Sequence, residues 1–132
     1  MRAHGKTVLV VEDHPPLRAA ICRLLRQMGL EPVEASDVAT ALGRLVTAEP
    51  DLVFLDLVLP EGSGYELCEL IRSSPRFRST PILAASERAY PADRAHAAEA
   101  GANAFIAKPF TEIQLRKRIE SLLDRGPTAL AS

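Results

Sequence analysis

Five short apolar runs recur along the chain, and the segments between them have the periodicity of helices. Each run is continuous rather than alternating, which is typical of strands whose two faces are both covered in a parallel sheet. The runs occupy residues 8–11, 30–35, 52–55, 82–85 and 104–107, and the second is the weakest of them. The pattern therefore predicts five strands that alternate with helices.

The first two intervening segments have helical spacing and recognisable ends. Pro15-Pro16 opens the first helix and Gly29 follows it, as proline and glycine commonly do at helix starts and ends. The second helix is expected to have Ser36 as its N-cap and to run to about Thr47. The apolar positions of the first helix form one stripe, at Leu17, Ile21, Leu24 and Met28.

The remaining three helices are also marked at their ends. Capping-box patterns at residues 63–66 and 111–114 predict the starts of the third and fifth helices. An alanine-rich helix over residues 91–100 is ended by Gly101. The third helix is expected to bury Leu67, Leu70 and Ile71. The apolar positions of the fifth are Ile113, Leu115, Ile119, Leu122 and Leu123.

Strands and helices in this order predict an α/β fold, in which right-handed crossovers place helices on both faces of the sheet. Pro32 lies in the second run, and proline is confined to edge strands because it has no N–H for the ladder. A doubly wound (βα)5 fold, with a five-stranded parallel sheet in the order 2-1-3-4-5, puts strand 2 at an edge and so agrees with Pro32. Residues 1–125 are predicted to form one domain and residues 126–132 a C-terminal tail.

Composition narrows the function classes. The chain has 132 residues, of which 47% are hydrophobic, so it can bury a core and is not intrinsically disordered. Its net charge of −1 argues against a protein that coats nucleic acid or a membrane surface, since both need a large basic field. No apolar run approaches the ~20 residues of a membrane span, and the N-terminus is not a signal peptide. We therefore expect a cytoplasmic protein in which Cys22 and Cys68 are two buried thiols.

Polar residues follow four of the five apolar runs: Glu12 and Asp13 the first, Asp56 the third, Ser86 the fourth and Lys108 the fifth. Ligands of open parallel sheets bind at the carboxyl ends of the strands, where the strand order reverses, so these side chains are expected at one site. Clustered carboxylates repel one another and need a cation, and oxygen ligands of this kind suit Mg²⁺. With Lys108 and the Ser86 hydroxyl they form an environment for a phosphoryl group, which Asp56 can accept as a nucleophile.

Each of these residues also has a purely structural interpretation. Asp13 and Ser86 are suitable caps for the helices that follow them, Asp56 is suitable for a turn, and Lys108-Pro109 for a solvated turn. Taken singly, those interpretations are the more common ones. They would have to hold at four strand ends at once, and this coincidence favours a functional site.

The chain resembles the receiver domain of two-component response regulators over residues 6–123. The matching segments are VLVVED, LVFLDLVLPEGSGYEL, TPILAAS and GANAFIAKPF. Asp56 and Ser86 are 30 positions apart, and Ser86 and Lys108 are 22 positions apart, as in that family. Five motif positions at the family spacing are a far more specific signal than any one of them.

Under this resemblance Asp56 is the phosphoacceptor, and Ser86 and Lys108 bind the phosphoryl group. The donor would be a sensor histidine kinase or a histidine phosphotransfer protein, and a downstream protein target would read the face formed by the fourth helix, fifth strand and fifth helix. The chain would assist its own phosphorylation without turnover on other substrates, and so would not be an enzyme. Direct nucleic-acid binding is not expected, since no room for an output domain follows the fifth helix, and membrane binding is not expected either.

The resemblance also implies a set of Mg²⁺ ligands. Asp13, Asp56 and the backbone carbonyl of Val58 would bind the ion directly, and Glu12 would act through a bound water molecule. Glu12 and Ser86 stand where aspartate and threonine are commoner in the family. Both are tolerated variants there. The implied cofactor is Mg²⁺.

The switch implied by the resemblance involves the fourth helix and fifth strand. Phe105 matches the aromatic residue that moves together with Ser86, and Gly64 matches a glycine of the loop after the acceptor. The fourth helix is rich in alanine, so it buries little apolar surface and is expected to be mobile. Asn103-Ala104 replaces a pair of acids common in DNA-binding members, which calls the familiar dimer through this face into question. The Lys108–Pro109 bond is expected to be cis.

Two other function classes remain open. A pseudo-receiver would keep the fold as an interaction domain without the chemistry, although all five motif positions are occupied. A Mg²⁺-dependent phosphohydrolase would share an aspartate nucleophile on an α/β sheet, but it would want a second acid near Asp56, where positions 57–59 are Leu-Val-Leu. Treatment with a phosphodonor and Mg²⁺ distinguishes the three classes.

Overall fold

A computed structural model describes residues 5–125 and contains the expected doubly wound sheet. Its five parallel strands, numbered within this sheet, are β1 (Thr7–Val11), β2 (Glu31–Ala35), β3 (Leu52–Asp56), β4 (Ile82–Ser86) and β5 (Ala104–Ala107). Their order, β2-β1-β3-β4-β5, confirms the predicted order 2-1-3-4-5. The helices are α1 (Pro15–Gln27), α2 (Val38–Ala48), α3 (Gly64–Ser73), α4 (Pro91–Ala100) and α5 (Glu112–Arg125). The expected tail, residues 126–132, lies outside the described residues.

The sheet is covered on both faces, as the continuous apolar runs predict. Alternate residues of β1 and β3 point to opposite sides, so that Val10 and Phe54 pack against α1 and α5 while Val11 and Leu55 pack against α2 and α3. Every residue of β3 and β4 is buried. β2 is at one edge and is largely half-exposed, in agreement with the position of Pro32. Burial of the central strands brings their carboxyl ends together at one edge of the molecule.

Two details of the helices differ from the sequence predictions, and a third shows which apolar position of α5 is left exposed. The N-cap of α2 is Asp37 rather than Ser36, because the Asp37 Oδ1 accepts a 2.7 Å hydrogen bond from the Thr40 N–H. Leu70 is 50% exposed, since the buried stripe of α3 runs through Leu67 and Ile71 and leaves it on the flank. Ile113 is 67% exposed because it lies two residues before the buried Leu115, a rotation of about 200° around α5.

Other local predictions are confirmed. The capping box of α5 is complete: the Thr111 Oγ1 accepts from the Gln114 N–H at 3.1 Å, and the Gln114 Oε1 accepts from the Thr111 N–H at 2.9 Å. Cys22 is buried, as expected, and so is Cys68. Among the described residues there is no helix long and apolar enough to cross a bilayer.

Asn103 has a structural role that the sequence comparison with paired acids did not suggest. Its Oδ1 accepts hydrogen bonds from the Ile82 N–H at 2.8 Å and from the Arg72 Nη2 at 2.9 Å. Arg72, in the last turn of α3, also donates to the Gly101 carbonyl from both Nε and Nη2, at 3.0 and 2.7 Å. The carboxyl end of α4 is therefore tied to α3 and to the start of β4.

The segment after β3 approaches the sheet edge closely. Val58–Leu59 and Gly62–Ser63 form a small antiparallel hairpin, after which α3 begins at Gly64. The Gly64 N–H donates to the Leu57 carbonyl at 3.1 Å, and a Cβ at Gly64 would lie 2.4 Å from the Asp56 carbonyl oxygen. Only glycine allows α3 to start against the backbone of Asp56 at this distance.

This close approach predicts that Gly64→Ala destabilises the fold by about 1–3 kcal/mol, because the new methyl group overlaps backbone atoms that have nowhere to move. Gly43→Ala is the matched control: Gly43 lies in α2 with nothing within 4 Å of an added Cβ, and the change is expected to stabilise by about 0.5–1 kcal/mol. Denaturant unfolding of both variants measures the difference. Equal effects of the two substitutions would contradict the steric argument.

Candidate functional site

The polar residues predicted from the strand ends do meet at one edge of the sheet. Glu12 and Asp13 follow β1, Asp56 ends β3, Ser86 ends β4, and Lys108 follows β5. All five line one open cleft of about 850 Å³, and Val58 also lines it. The cleft is at the point where the strand order reverses, between β1 and β3, which is where ligands of open α/β sheets bind.

Three carboxylates are crowded together in this cleft. Glu12, Asp13 and Asp56 each offer an oxygen within 4.8 Å of the other two. Glu12 and Asp56 are buried, with 0% and 4% of their surfaces exposed, and Asp13 is exposed. Like charges at this spacing repel, and burial adds to the cost of ionisation. An all-oxygen donor set of this kind fits Mg²⁺, which combines one or two carboxylates with water and phosphate oxygens.

Lys108 supplies the positive charge within the cluster. Its Nζ donates to the Glu12 Oε1 at 2.8 Å and to the Asp56 Oδ2 at 3.1 Å. Burial lowers the pKa of Lys108, but its hydrogen bond to Glu12 and the charges of both acids outweigh that effect and raise the pKa above its ordinary value. The side chain is therefore an ammonium at any physiological pH, and it links the ends of β1, β3 and β5.

Asp56 has the most perturbed environment of the three acids. Burial raises the pKa of its carboxyl to about 6, which the hydrogen bond from the Val58 N–H at 3.1 Å opposes and the nearby charge of Glu12 reinforces. The Oδ1 faces the loop after β3, and the Oδ2 faces Lys108. Near neutral pH the carboxylate is largely ionised, and an ionised carboxylate can react with an electrophile.

Ser86 is buried, and its hydroxyl is already oriented. The Oγ accepts a 3.0 Å hydrogen bond from the Arg88 N–H, which leaves the hydroxyl hydrogen to be donated elsewhere. The Ser86 carbonyl accepts from the Lys108 N–H at 2.9 Å, so β4 and β5 stay paired up to the edge of the cleft. Lys108–Pro109 is cis, as expected.

Phe105 is not in the cleft. It is half-buried in β5 and lines a separate cavity of about 100 Å³. The Arg94 guanidinium of α4 lies over its ring, 4.7 Å from the centroid. Phe105 also pairs across the sheet with Ala84 of β4, two residues before Ser86.

Three contacts at the site were not predicted from the sequence. The Arg18 Nη1 donates to the Glu12 carbonyl at 2.8 Å, and the His14 N–H donates to the Glu12 Oε2 at 3.1 Å. Arg88 lines the cleft beside Glu87. Arg18 lies next to the apolar stripe of α1, and no motif marks it. Its contact depends on how α1 sits against β1.

Known proteins are similar to this chain in sequence and in fold. The family model for the response regulator receiver domain matches residues 8–120. The phosphate regulon transcriptional regulatory protein PhoB of Klebsiella pneumoniae is 38% identical over 121 residues, which cover 92% of this chain and 53% of PhoB. The chain thus spans about half the length of that relative.

Two solved structures are similar over nearly their whole length. A putative response regulator from Chloroflexus aurantiacus J-10-fl has a TM-score of 0.87 and 31% identity, covering 92% of this chain and 99% of its own. The receiver domain of the sensor histidine kinase PA1611 from Pseudomonas aeruginosa PAO1 has a TM-score of 0.83 and 29% identity, covering 91% and 98%. A magnesium ion is coordinated in the active-site cleft of the latter protein.

The raised pKa of Asp56 predicts that Asp56→Asn is more stable than the wild type near neutral pH. Below about pH 4 the carboxyl is protonated whether the chain is folded or not, so the difference is smallest there. As the pH rises from about 4 through about 6, the unfolded chain loses its proton before the folded chain does, and the wild type loses up to about 3 kcal/mol of stability. Thermal unfolding in metal-free buffer between pH 4 and pH 8 measures this loss, which asparagine avoids.

The control for this experiment is Asp124→Asn, which makes the same chemical change at an exposed position of α5. No gain that grows between pH 4 and pH 7 is expected for it. A stability difference between wild type and Asp56→Asn that stays constant with pH, or that favours the wild type at pH 7, would contradict the prediction.

Proposed function

The chain belongs to the response regulator receiver domain family of two-component signalling, and on that premise we propose that Asp56 accepts a phosphoryl group from a histidine kinase or a histidine phosphotransfer protein. The observation that carries the proposal is the shared ammonium: the Lys108 Nζ lies within hydrogen-bond distance of both Glu12 and Asp56. An ionised carboxylate, a lysine and a serine hydroxyl at one cleft are the groups that phosphoryl transfer to aspartate needs.

In the proposed reaction an Asp56 carboxylate oxygen attacks the phosphorus of a phosphohistidine. The new P–O bond forms an acyl phosphate as the P–N bond breaks, and the imidazole leaves with the bonding electron pair and takes up a proton. Lys108 would pair with an oxygen of the transferred group, and Ser86 would donate its free hydrogen to another; the contacts of Lys108 with Asp56 and of Ser86 with the Arg88 N–H support these roles. The Lys108 Nζ donates to the Glu12 Oε1 at 2.8 Å independently of its contact with Asp56. Lys108 would therefore stay bonded to Glu12 while Asp56 reacts.

Mg²⁺ fits the donor set described above. Asp13, Asp56 and the Val58 carbonyl would bind the ion directly, and Glu12 through a water molecule. When bound, Mg²⁺ offsets the negative charge of the carboxylates and of the phosphoryl oxygens. The spacing of the three carboxylates supports this assignment, as does the magnesium ion in the similar PA1611 receiver domain.

The chain is expected to act as a phosphorylated signalling protein rather than as an enzyme that turns over other substrates. Residues 57–59 are Leu-Val-Leu, so none of the three residues after Asp56 is an acid that could protonate the leaving group of a phosphate ester. Phosphohydrolase activity is accordingly not expected. The pseudo-receiver alternative is disfavoured because the five polar residues predicted from the strand ends all line the cleft, with Lys108 and Ser86 held by hydrogen bonds there.

We propose that a protein partner reads the face formed by α4, β5 and α5. The start of α4 is connected to the switch residues, since the Arg94 Nε donates to the Ala89 carbonyl at 3.2 Å while its guanidinium covers Phe105. A movement of the loop after Ser86 would therefore displace Arg94 and uncover Phe105.

The carboxyl end and the middle of α4 contact other elements, whereas the capping hydrogen bond of its first turn, from the Tyr90 N–H to the Asp93 Oδ2, is local. The buried side chains of α4 are two alanines, Ala97 and Ala100, which contribute little apolar area. Its carboxyl end is tied by Arg72 to the Gly101 carbonyl, whereas its middle rests on the stacked rings of His96 and Tyr65, whose centroids are 3.8 Å apart. Movement is expected at the end near Ser86.

Phosphorylation itself is the first test. On incubation with a small-molecule phosphodonor and Mg²⁺, the wild type is expected to gain the mass of one phosphoryl group and Asp56→Asn to gain none, by intact mass spectrometry. Asp51→Asn is the matched control at the opposite end of β3, and it is expected to react like the wild type. An unreactive wild type would support the pseudo-receiver, and repeated release of phosphate from esters would support the phosphohydrolase.

Hydrogen exchange tests the proposed movement of α4. Amides of α4 are expected to exchange faster than those of α1, because α1 buries Ile21, Leu24 and Leu25 against the sheet. A non-hydrolysable phosphoryl analogue is expected to change exchange in the first turn of α4 more than in its last turn. Equal protection of α4 and α1, with and without the analogue, would refute the proposal.

A further inference from the structure

Arg18 bridges the ends of two strands beside the acidic cluster. It is the fourth residue of α1, and its side chain is 20% exposed. The Nη1 donates to the Glu12 carbonyl at 2.8 Å, and the Nε donates to the Glu34 Oε1 in β2 at 2.9 Å. The Glu12 N–H donates to the Ala35 carbonyl at 3.0 Å. The turn that leaves β1 is therefore held on both sides of Glu12.

The bond to the Glu12 carbonyl bears directly on Asp13. That carbonyl belongs to the peptide group between Glu12 and Asp13, so fixing it fixes the plane from which Asp13 projects. Asp13 is exposed, and its carboxylate lies close to two others that repel it. With the peptide group free to turn, repulsion would move Asp13 away from the cluster. With it fixed, the three carboxylates stay together.

Glu34 matters for the charge of Arg18. An uncompensated guanidinium next to the cluster would repel a dication, and its field would be only partly screened because Arg18 is mostly buried. The negative charge of Glu34, whose Oε1 is 2.9 Å from the Arg18 Nε, offsets the field of the guanidinium. Arg18 can then hold the peptide group without opposing a cation in the cleft.

We propose that Arg18 is a positioning residue of the Mg²⁺ site, holding Asp13 in place through the Glu12 carbonyl while Glu34 neutralises its charge. The inference rests on the proposed function in one respect, namely that the cleft binds Mg²⁺. Arg18 is outside the proposed set of Mg²⁺ ligands. Its proposed role is to raise the Mg²⁺ affinity of the site, not to take part in the reaction of Asp56.

The test compares the Mg²⁺ dissociation constants of wild type and variants by titration with MgCl₂, followed through the backbone amide signals of Asp13 and Asp56. Arg18→Ala is expected to bind about tenfold more weakly, at the low end of the effect of removing groups that orient metal ligands. Arg18→Lys keeps the charge but cannot make both contacts, so an intermediate affinity is expected.

Arg76→Ala is the matched control. Arg76 also pairs with one carboxylate and one carbonyl, those of Glu49 and Val46, and none of these residues lines the cleft. The loss of comparable contacts can lower the melting temperature, but the Mg²⁺ affinity is expected to stay at the wild-type value. Melting temperatures measured in parallel separate a general loss of stability from a specific effect on the site.

The rate of phosphorylation provides a second readout. Arg18→Ala is expected to need a higher Mg²⁺ concentration for half-maximal rate and to reach the wild-type rate at saturation. A rate that remains low at saturating Mg²⁺ would overturn the positioning role. So would equal Mg²⁺ affinity in wild type and Arg18→Ala.

If Arg18→Ala does not fold, Arg18→Lys and Glu34→Gln decide the matter. Glu34→Gln leaves Arg18 in place with its charge uncompensated, and weaker Mg²⁺ binding than in the wild type is expected at the same ionic strength. Wild-type affinity in both variants would overturn the inference. Failure of the wild type itself to bind Mg²⁺ would instead overturn the proposed metal site, and the inference with it, so the two failures are distinguishable.

Discussion

An ammonium group placed between two buried carboxylates holds the site together. Removing an ion from water into a protein interior costs several kcal/mol, and Glu12 and Asp56 are both almost fully buried. Lys108 makes that burial tolerable because one Nζ contacts both acids. It also connects three strands, so the charge balance of the cleft and the alignment of the sheet edge depend on the same side chain. A phosphoryl group or a cation that enters the cleft must rearrange this balance.

Much of the fold and of the site could be predicted because both follow from patterns along the sequence. Continuous apolar runs identify strands covered on both faces, and the parallel arrangement then brings the residue after each strand to one edge. Glu12, Asp56 and Lys108 meet for that reason alone. The resemblance to receiver domains adds the roles that are proposed for those residues.

What the sequence did not predict depends on how each helix is rotated about its axis and on how far long side chains extend. Leu70 is apolar and lies in a helix, yet whether it is buried depends on the direction that α3 presents to the sheet, which a spacing pattern fixes only to within a residue or so. Arg18 and Arg72 could not be found at all. Their long side chains bond to backbone carbonyls of other elements, and a carbonyl is present at every position of a sequence.

The position of Pro32 in β2 affects whether a second copy of the molecule can pair with the free edge of the sheet. The Glu31 N–H bonds inward to the Lys6 carbonyl, so residues 32 and 34 present their backbone groups outward along the free edge. Pro32 has no N–H to offer there, and the Glu34 carbonyl already accepts from the Arg44 Nε at 3.2 Å. An incoming β-segment from a second molecule would lack one donor, at Pro32, and would compete with Arg44 for one acceptor, the Glu34 carbonyl. This edge is therefore a poorer template for intermolecular strand addition, and for the aggregation that follows from it, than an edge with every backbone group available.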